Sequence, residues 1–174
     1  MNRGDYMLTK FSVTNFKNFK DKLTIDFEDK HDYKFNEIAT KQGVISKSIV
    51  FGKNGSGKSN LGYALFDIVT TTTDLHASRR MYETNSFINA DSKQEFAEFN
   101  YEFKFGNDIV KYNYKKIEPK VLVYEELIIN DNKIYEFDFQ KRKGNFENLK
   151  LISAETLNLD IQNINMAILK FIIN

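Results

Sequence analysis

Ser48-Ile49-Val50-Phe51-Gly52-Lys53-Asn54-Gly55-Ser56-Gly57-Lys58-Ser59-Asn60-Leu61 is the stretch whose reading decides the fold of this chain. Ser48 to Phe51 reads as a short apolar strand that runs straight into a Gly-rich loop. A helix is expected from Ser59 to about Val69, because Leu61, Ala64, Leu65 and Ile68 fall on one apolar stripe. Gly52, Gly57, Lys58 and Ser59 match the spacing of glycine, four residues, glycine, lysine and serine or threonine. Glycines there let the backbone turn tightly and bring its N–H groups onto phosphate oxygens with no Cβ in the way. The start of the following helix points its positive end at the anion.

The spacing alone arises by chance in roughly one chain in a hundred of this length. The strand before it and the helix after it favour a phosphate cradle over a Gly/Ser-rich surface turn. On this reading Gly52, Lys53, Asn54, Gly55, Ser56, Gly57, Lys58, Ser59 and Asn60 bind a nucleoside triphosphate, ATP with Mg²⁺. Lys58 is expected to reach the β- and γ-phosphates, and the Ser59 hydroxyl to hold the Mg²⁺ that bridges them.

Outward from the loop, two antiparallel regions are legible. Met7 to Val13 and Lys22 to Phe27 read as a hairpin around the turn Thr14 to Asp21, with Phe16 and Phe19 as core plugs. Phe99, Tyr101, Phe103 and Phe105 alternate with polar residues, as do Val110, Tyr112 and Tyr114. Val121 to Ile129 and Ile134 to Phe139 follow, with polar turns between, which makes an antiparallel meander. Thr70 to Thr73 is a β-branched run that is expected to end the loop helix. Asp74 to Lys93 reads as short helices and loop. Glu155 to Ile173 reads as a helix whose stripe includes Leu157, Ile161, Ile164, Ile168 and Phe171.

Length and composition bound the rest. The 174 residues suit a single domain, 1–174, that buries roughly 70 % of its unfolded surface. There is no Cys, which excludes disulfides and Cys-based zinc, and His31 and His76 are isolated. Lys and Arg number 25 against 24 Asp and Glu, so the charge balance does not support a broad nucleic-acid footprint. Local basic groups are Arg79 with Arg80, and Lys141-Arg142-Lys143; a solvated surface is the simpler reading of both. No apolar run approaches the roughly 20 residues of a membrane span, and Met1 to Lys10 lacks the apolar core of a signal peptide. The cytoplasm is the default location.

Phe11-Ser12-Val13-Thr14-Asn15-Phe16-Lys17-Asn18-Phe19, taken with Ile49 to Leu61, resembles the first lobe of ABC-type ATPase heads of the chromosome-maintenance and recombination-repair class. Within that class it is most similar to bacterial AAA-family ATPases of the overcoming-lysogenization-defect and abortive-infection type. Asn54 and Asn60 match beyond the bare loop pattern, and Phe99 to Phe103 and Glu125-Glu126-Leu127 look like the antiparallel strands of such heads.

The resemblance implies an α/β P-loop NTPase fold, with a mixed sheet and an antiparallel strand meander. It implies ATP sandwiched between two heads, hence a head-to-head dimer or higher oligomer, a nuclease or other effector as partner, and a place in anti-phage defence. It also implies roles for three further residues. Gln94 would be the glutamine that touches Mg²⁺ and the attacking water, and Lys17 and Asn18 would lie near the base or ribose. On their own, these residues read as a surface glutamine and a solvated hairpin turn.

The sequence also departs from the pattern. There is no Ser-Gly-Gly signature, and no histidine follows the meander. Val121 to Glu126 ends in two acids but continues into Leu127-Ile128-Ile129, as a strand would rather than a Mg²⁺ site. The expectation is a lobe whose hydrolysis waits for a C-terminal lobe or a separate chain. Two other readings stay open: a complete small P-loop kinase, and an interaction protein that keeps the loop as an anion site.

Overall fold

Alternating apolar and polar residues make this chain mostly sheet, and the polar turns between them set its order. The computed structural model describes residues 6–29, 37–73, 86–154, 156–157 and 159–173. Its strands are β1 (Tyr6–Thr14), β2 (Leu23–Asp26), β3 (Thr40–Lys41), β4 (Val44–Ile45), β5 (Ala97–Phe105), β6 (Asp108–Glu118), β7 (Val121–Ile129), β8 (Asn132–Asp138) and β9 (Lys143–Asn145). The α-helices are α1 (Lys58–Thr72) and α2 (Ile168–Ile173). Seven strands form one sheet in the order β2-β1-β5-β6-β7-β8-β9, and β3 pairs with β4 apart from it. The architecture is therefore α/β with an antiparallel sheet, and the expected meander is β5 to β8.

Register puts the aromatics on one face. Phe11 lies opposite Tyr101, Tyr101 opposite Tyr112, Tyr112 opposite Leu127, and Leu127 opposite Tyr135. The next row runs Val13, Phe99, Tyr114, Glu125, Phe137. All ten of these side chains are buried. The reverse face carries Ser12, Asn100, Asn113, Glu126 and Glu136 on consecutive strands, joined by side-chain hydrogen bonds such as Asn113 Nδ2 to Glu126 Oε2 at 3.0 Å. A period of two with one greasy face is what an antiparallel sheet covered on one side requires.

α1 is tied to the aromatic face by polar contacts. The Tyr101 hydroxyl donates to the Ala64 carbonyl at 2.7 Å, and the Tyr114 hydroxyl to Asp67 Oδ2 at 2.8 Å. Lys116 Nζ reaches the same carboxylate oxygen at 2.7 Å. Ala64 is fully buried, and Leu61, Leu65 and Ile68 pack at the core margin, so the expected stripe faces the sheet.

Four expectations need correction. The segment from Ser48 to Phe51 is extended but joins no sheet, and Ile49, Val50 and Phe51 are 78 %, 53 % and 86 % exposed. No strand among the described residues offers it a hydrogen-bonding edge. For the same reason the mixed sheet is not met here, since every described strand pair is antiparallel. The loop helix does not stop at Val69 but runs through Thr72. The threonine hydroxyls bond back one turn, Thr71 to the Asp67 carbonyl at 2.8 Å and Thr72 to the Ile68 carbonyl at 2.9 Å, and both residues are buried, so packing against the rest of the protein carries the helix through a run of low propensity. The helix expected over 155–173 shrinks to Ile168–Ile173. Asp160 explains this locally: its carbonyl accepts from the N–H groups of Asn163 and Ile164, and its carboxylate from the Asn163 amide, which closes a turn in place of a helix. Residues 30–36 lie outside the described residues, as does the part of the expected helices and loop over 74–85.

Candidate functional site

The Gly-rich loop joins an unpaired extended segment to the start of α1. Gly55 and Gly57 have φ of 82° and 94°, the left-handed region where a side chain is strained. A Cβ on Gly52 would sit 2.7 Å from Ser56 Oγ, and one on Gly57 would collide with the Asn18 amide. Glycine is therefore required at 57 by backbone conformation and by space together.

Lys58 folds back over its own loop. Its ammonium donates to the carbonyls of Gly52 and Lys53, both at 2.8 Å, which closes the loop into a ring around the charge. Asn54, Gly55, Gly57, Lys58, Ser59 and Asn60 line an open hollow of about 340 Å³. The N-cap Gly57 supplies no side-chain acceptor, and Leu61 N is the first amide of α1 with a backbone partner, the Gly57 carbonyl at 2.8 Å. The N–H groups of Gly57, Lys58, Ser59 and Asn60 have no acceptor among the described residues. A helix start with unmet donors, a lysine and an exposed serine hydroxyl fits a phosphate chain. No group of three His, Cys, Asp or Glu that could hold a metal occurs among the described residues. A Mg²⁺ here would take Ser59 as its protein ligand and draw its remaining ligands from phosphate and water.

The turn between β1 and β2 lies against this loop. Phe16 and Phe19 exchange backbone hydrogen bonds at 2.9 and 2.8 Å, which leaves Lys17 and Asn18 at the tip. Asn18 Oδ1 accepts from Asn60 Nδ2 at 2.7 Å. Lys17 has φ of 49° and is 9 % exposed. Burial pushes its ammonium below the usual lysine range, and among the described residues it has no carboxylate partner. Phe16 is fully buried, as a core plug should be. Neither Lys17 nor Asn18 lines the hollow over the loop.

Gln94 is exposed and does not line that hollow either. Its backbone carbonyl accepts from Asn15 Nδ2 at 2.9 Å, and the Phe96 carbonyl accepts from the same amide at 2.8 Å. Asn15 thereby joins two stretches 79 residues apart that the sequence singled out separately. Its Oδ1 is buried with no partner among the described residues. No spacing rule pointed to Asn15; its φ of 56° and buried amide appear only once the strands are assembled.

Glu125 and Glu126 part company. Glu126 lies on the polar face against Lys133 at 2.9 Å. Glu125 is fully buried and uses both oxygens. Oε1 accepts from the Tyr135 and Tyr112 hydroxyls at 2.6 and 2.9 Å and from Leu169 N at 2.9 Å, while Oε2 accepts from Ile168 N at 2.7 Å. Its acceptors are occupied with holding α2, which leaves it no part in a metal site.

The basic run lies at the surface, with Lys141 and Lys143 exposed and two of its three residues bonded within the chain. Lys141 pairs with Asp138 at 3.1 Å, and the Arg142 guanidinium donates to the Ile164 carbonyl. Arg79, Arg80, His31 and His76 lie outside the described residues. Phe99, Tyr101, Tyr112 and Tyr114 of the meander are buried in the core and present no ring for a base to stack on.

No family model matches the chain, and no curated protein matches it. Among the described residues no helix is long and apolar enough to cross a membrane.

Proposed function

We propose that this chain binds ATP with Mg²⁺ through Gly52 to Asn60 and acts as the first lobe of an ABC/AAA-type ATPase, with hydrolysis dependent on groups from a second lobe or a partner chain. The observation that carries the binding claim is the start of α1: unmet N–H donors, Lys58 and the Ser59 hydroxyl converge on one open hollow. Such a helix start favours an anion without further charge, and lysine with serine adds the usual selectivity for a Mg²⁺-bound triphosphate.

Two observations support dependence on a partner. The segment Ile49 to Phe51 is apolar on both faces and has no strand beside it among the described residues, which suits a strand completed from elsewhere. Among the described residues no carboxylate lines the hollow to orient a water or hold Mg²⁺ from the far side. A head-to-head dimer or higher oligomer, a nuclease or other effector partner and a role in anti-phage defence rest on the resemblance alone, which is an analogy of fold and motif; a cytoplasmic location is proposed only as the default for a sequence with no apolar run long enough to span a membrane.

Titration of the chain with ATP, with and without Mg²⁺, followed by a phosphate-release assay, tests this. Saturable Mg²⁺-dependent binding without turnover is expected. Turnover by the chain alone, at the order of 1 s⁻¹ or above that enzymes reach, contradicts the dependence on a partner. Equal affinity for inorganic phosphate and ATP would favour a bare anion site.

A further inference from the structure

We propose that Asn18 is a positioning residue for the phosphate cradle, its side-chain amide clasping the Gly-rich loop to the main sheet through Gly57 and Asn60. The inference rests on the reading of the loop as a nucleotide cradle, and goes beyond it by naming what holds the cradle in shape.

The loop has little to fix it from within. Its N-terminal side is the unpaired segment Ile49 to Phe51. Its internal bonds are Ser56 N to the Lys53 carbonyl at 3.2 Å and the two contacts of Lys58. Those two must break when the lysine turns to a phosphate. α1 is anchored at Ala64 and Asp67, two turns further on. The loop itself therefore needs a hold from outside.

Asn18 provides one from a rigid mount. Reciprocal Phe16–Phe19 hydrogen bonds close its turn, and the buried Phe16 ring packs against Phe87 and Phe99 at 5.2 and 5.3 Å between centroids. Lys17 N donates to the Phe87 carbonyl at 3.0 Å, and Asn89 Nδ2 to the Lys17 carbonyl at 2.6 Å. Asn15 ties the base of the turn to the approach to β5. From this mount the Asn18 amide fills the space that a Cβ on residue 57 would occupy, and its Oδ1 receives the Asn60 amide at 2.7 Å. Both contacts fall on the first turn of α1, where the unmet N–H donors are aimed. A shift of the loop there misaligns several donors at once, so one side chain governs affinity without touching the ligand.

The test is a double-mutant cycle with Asn18→Ala, Asn60→Ala and the double variant, titrated with MgATP, while exchange of the Leu61 amide, which is bonded to the Gly57 carbonyl, is read in nucleotide-free protein. Each single change is expected to weaken MgATP about three- to tenfold, the span of one hydrogen bond. The double variant should bind no more weakly than the worse single one. Exchange at Leu61 should speed up in all three, with thermal midpoints within about 2 °C of the parent because both side chains reach solvent. Parent-like MgATP affinity and parent-like exchange in Asn18→Ala overturn the clasp, as do losses that simply add. A parent that binds no MgATP, with exchange still faster in Asn18→Ala, overturns the nucleotide reading and retains the clasp as a property of the loop.

Discussion

Asp67 of α1 and Lys116 of β6 form an ion pair at 2.7 Å with both side chains almost fully out of solvent. Burial pushes the Lys116 ammonium below its ordinary value, and the Asp67 carboxylate opposes that shift. Tyr114 and Thr71 also donate to Asp67 Oδ2, at 2.8 and 3.1 Å. The helix that begins at the phosphate loop is thus pinned to the sheet by a satisfied carboxylate.

Removing one partner of such a pair leaves the other charge buried. Asp67→Ala is expected to cost about 3–5 kcal/mol in urea unfolding. The pair Asp67→Leu with Lys116→Met should recover most of that loss, because apolar groups of similar volume carry no desolvation cost. A loss below about 1 kcal/mol for Asp67→Ala would mean that the pair is hydrated in solution.

Glu125 predicts how the C-terminal segment is held. Its carboxylate is the acceptor for Ile168 N and Leu169 N at the start of α2. Glu125→Leu leaves those amides and two tyrosine hydroxyls without it, at about 1–3 kcal/mol for each group that stays buried and unpaired. Amide exchange at Ile168 and Leu169 should then rise far more than exchange in β5 or β6. Uniform exchange across the protein would show that α2 does not depend on this contact.

The same residue sets a pH dependence. Burial raises the Glu125 pKa above its ordinary 4.5, against the opposing pull of the Tyr135, Leu169, Ile168 and Tyr112 donors. A raised carboxyl favours the protonated folded state, so its contribution is complete below pH 4.5 and fades as pH rises through the folded value. Glu136 and Asp26 work the other way, held below their ordinary values by Lys133 and Lys10. Glu125→Gln isolates the first effect, since glutamine imitates the protonated acid. Its stability relative to the parent should improve as pH rises above 4.5, until the folded value is passed, in urea titrations; a flat difference contradicts the assignment.

The unpaired segment makes a contrasting prediction. Phe51 is 86 % exposed, whereas Phe99 is fully buried. Phe51→Ser should change stability by no more than about 0.5 kcal/mol, against about 3–5 kcal/mol for Phe99→Ala. A large loss for Phe51→Ser would show that the segment is already covered in the isolated chain.

What the sequence revealed follows physical range. Period-two alternation made β5 to β8 legible, because each residue's face depends only on its neighbours. The tight glycine turn and the helix after it were legible because that pattern is contiguous. Ser48 to Phe51 misled because an apolar run records that a strand is suited to burial and says nothing of whether a neighbour is present. Thr70 to Thr73 misled because propensity omits packing: Thr71 and Thr72 are buried, and tertiary contact overrides the β-branched preference. Asn15, Asn18 and Glu125 act across 40 to 80 residues of chain, through contacts such as Asn60 to Asn18 and Asn15 to Gln94, and no local pattern encodes those.

The central claim is that the start of α1 holds the phosphates of ATP, and calorimetric titration of MgATP into the parent and into Lys58→Ala tests it most directly. Lys58 is half-buried and bonds only to carbonyls of its own loop, so the fold should tolerate its loss. The account predicts Mg²⁺-dependent binding by the parent and at least a tenfold weaker Kd for Lys58→Ala, about 1.4 kcal/mol, with an unchanged thermal midpoint. Equal affinity in the two proteins would contradict it.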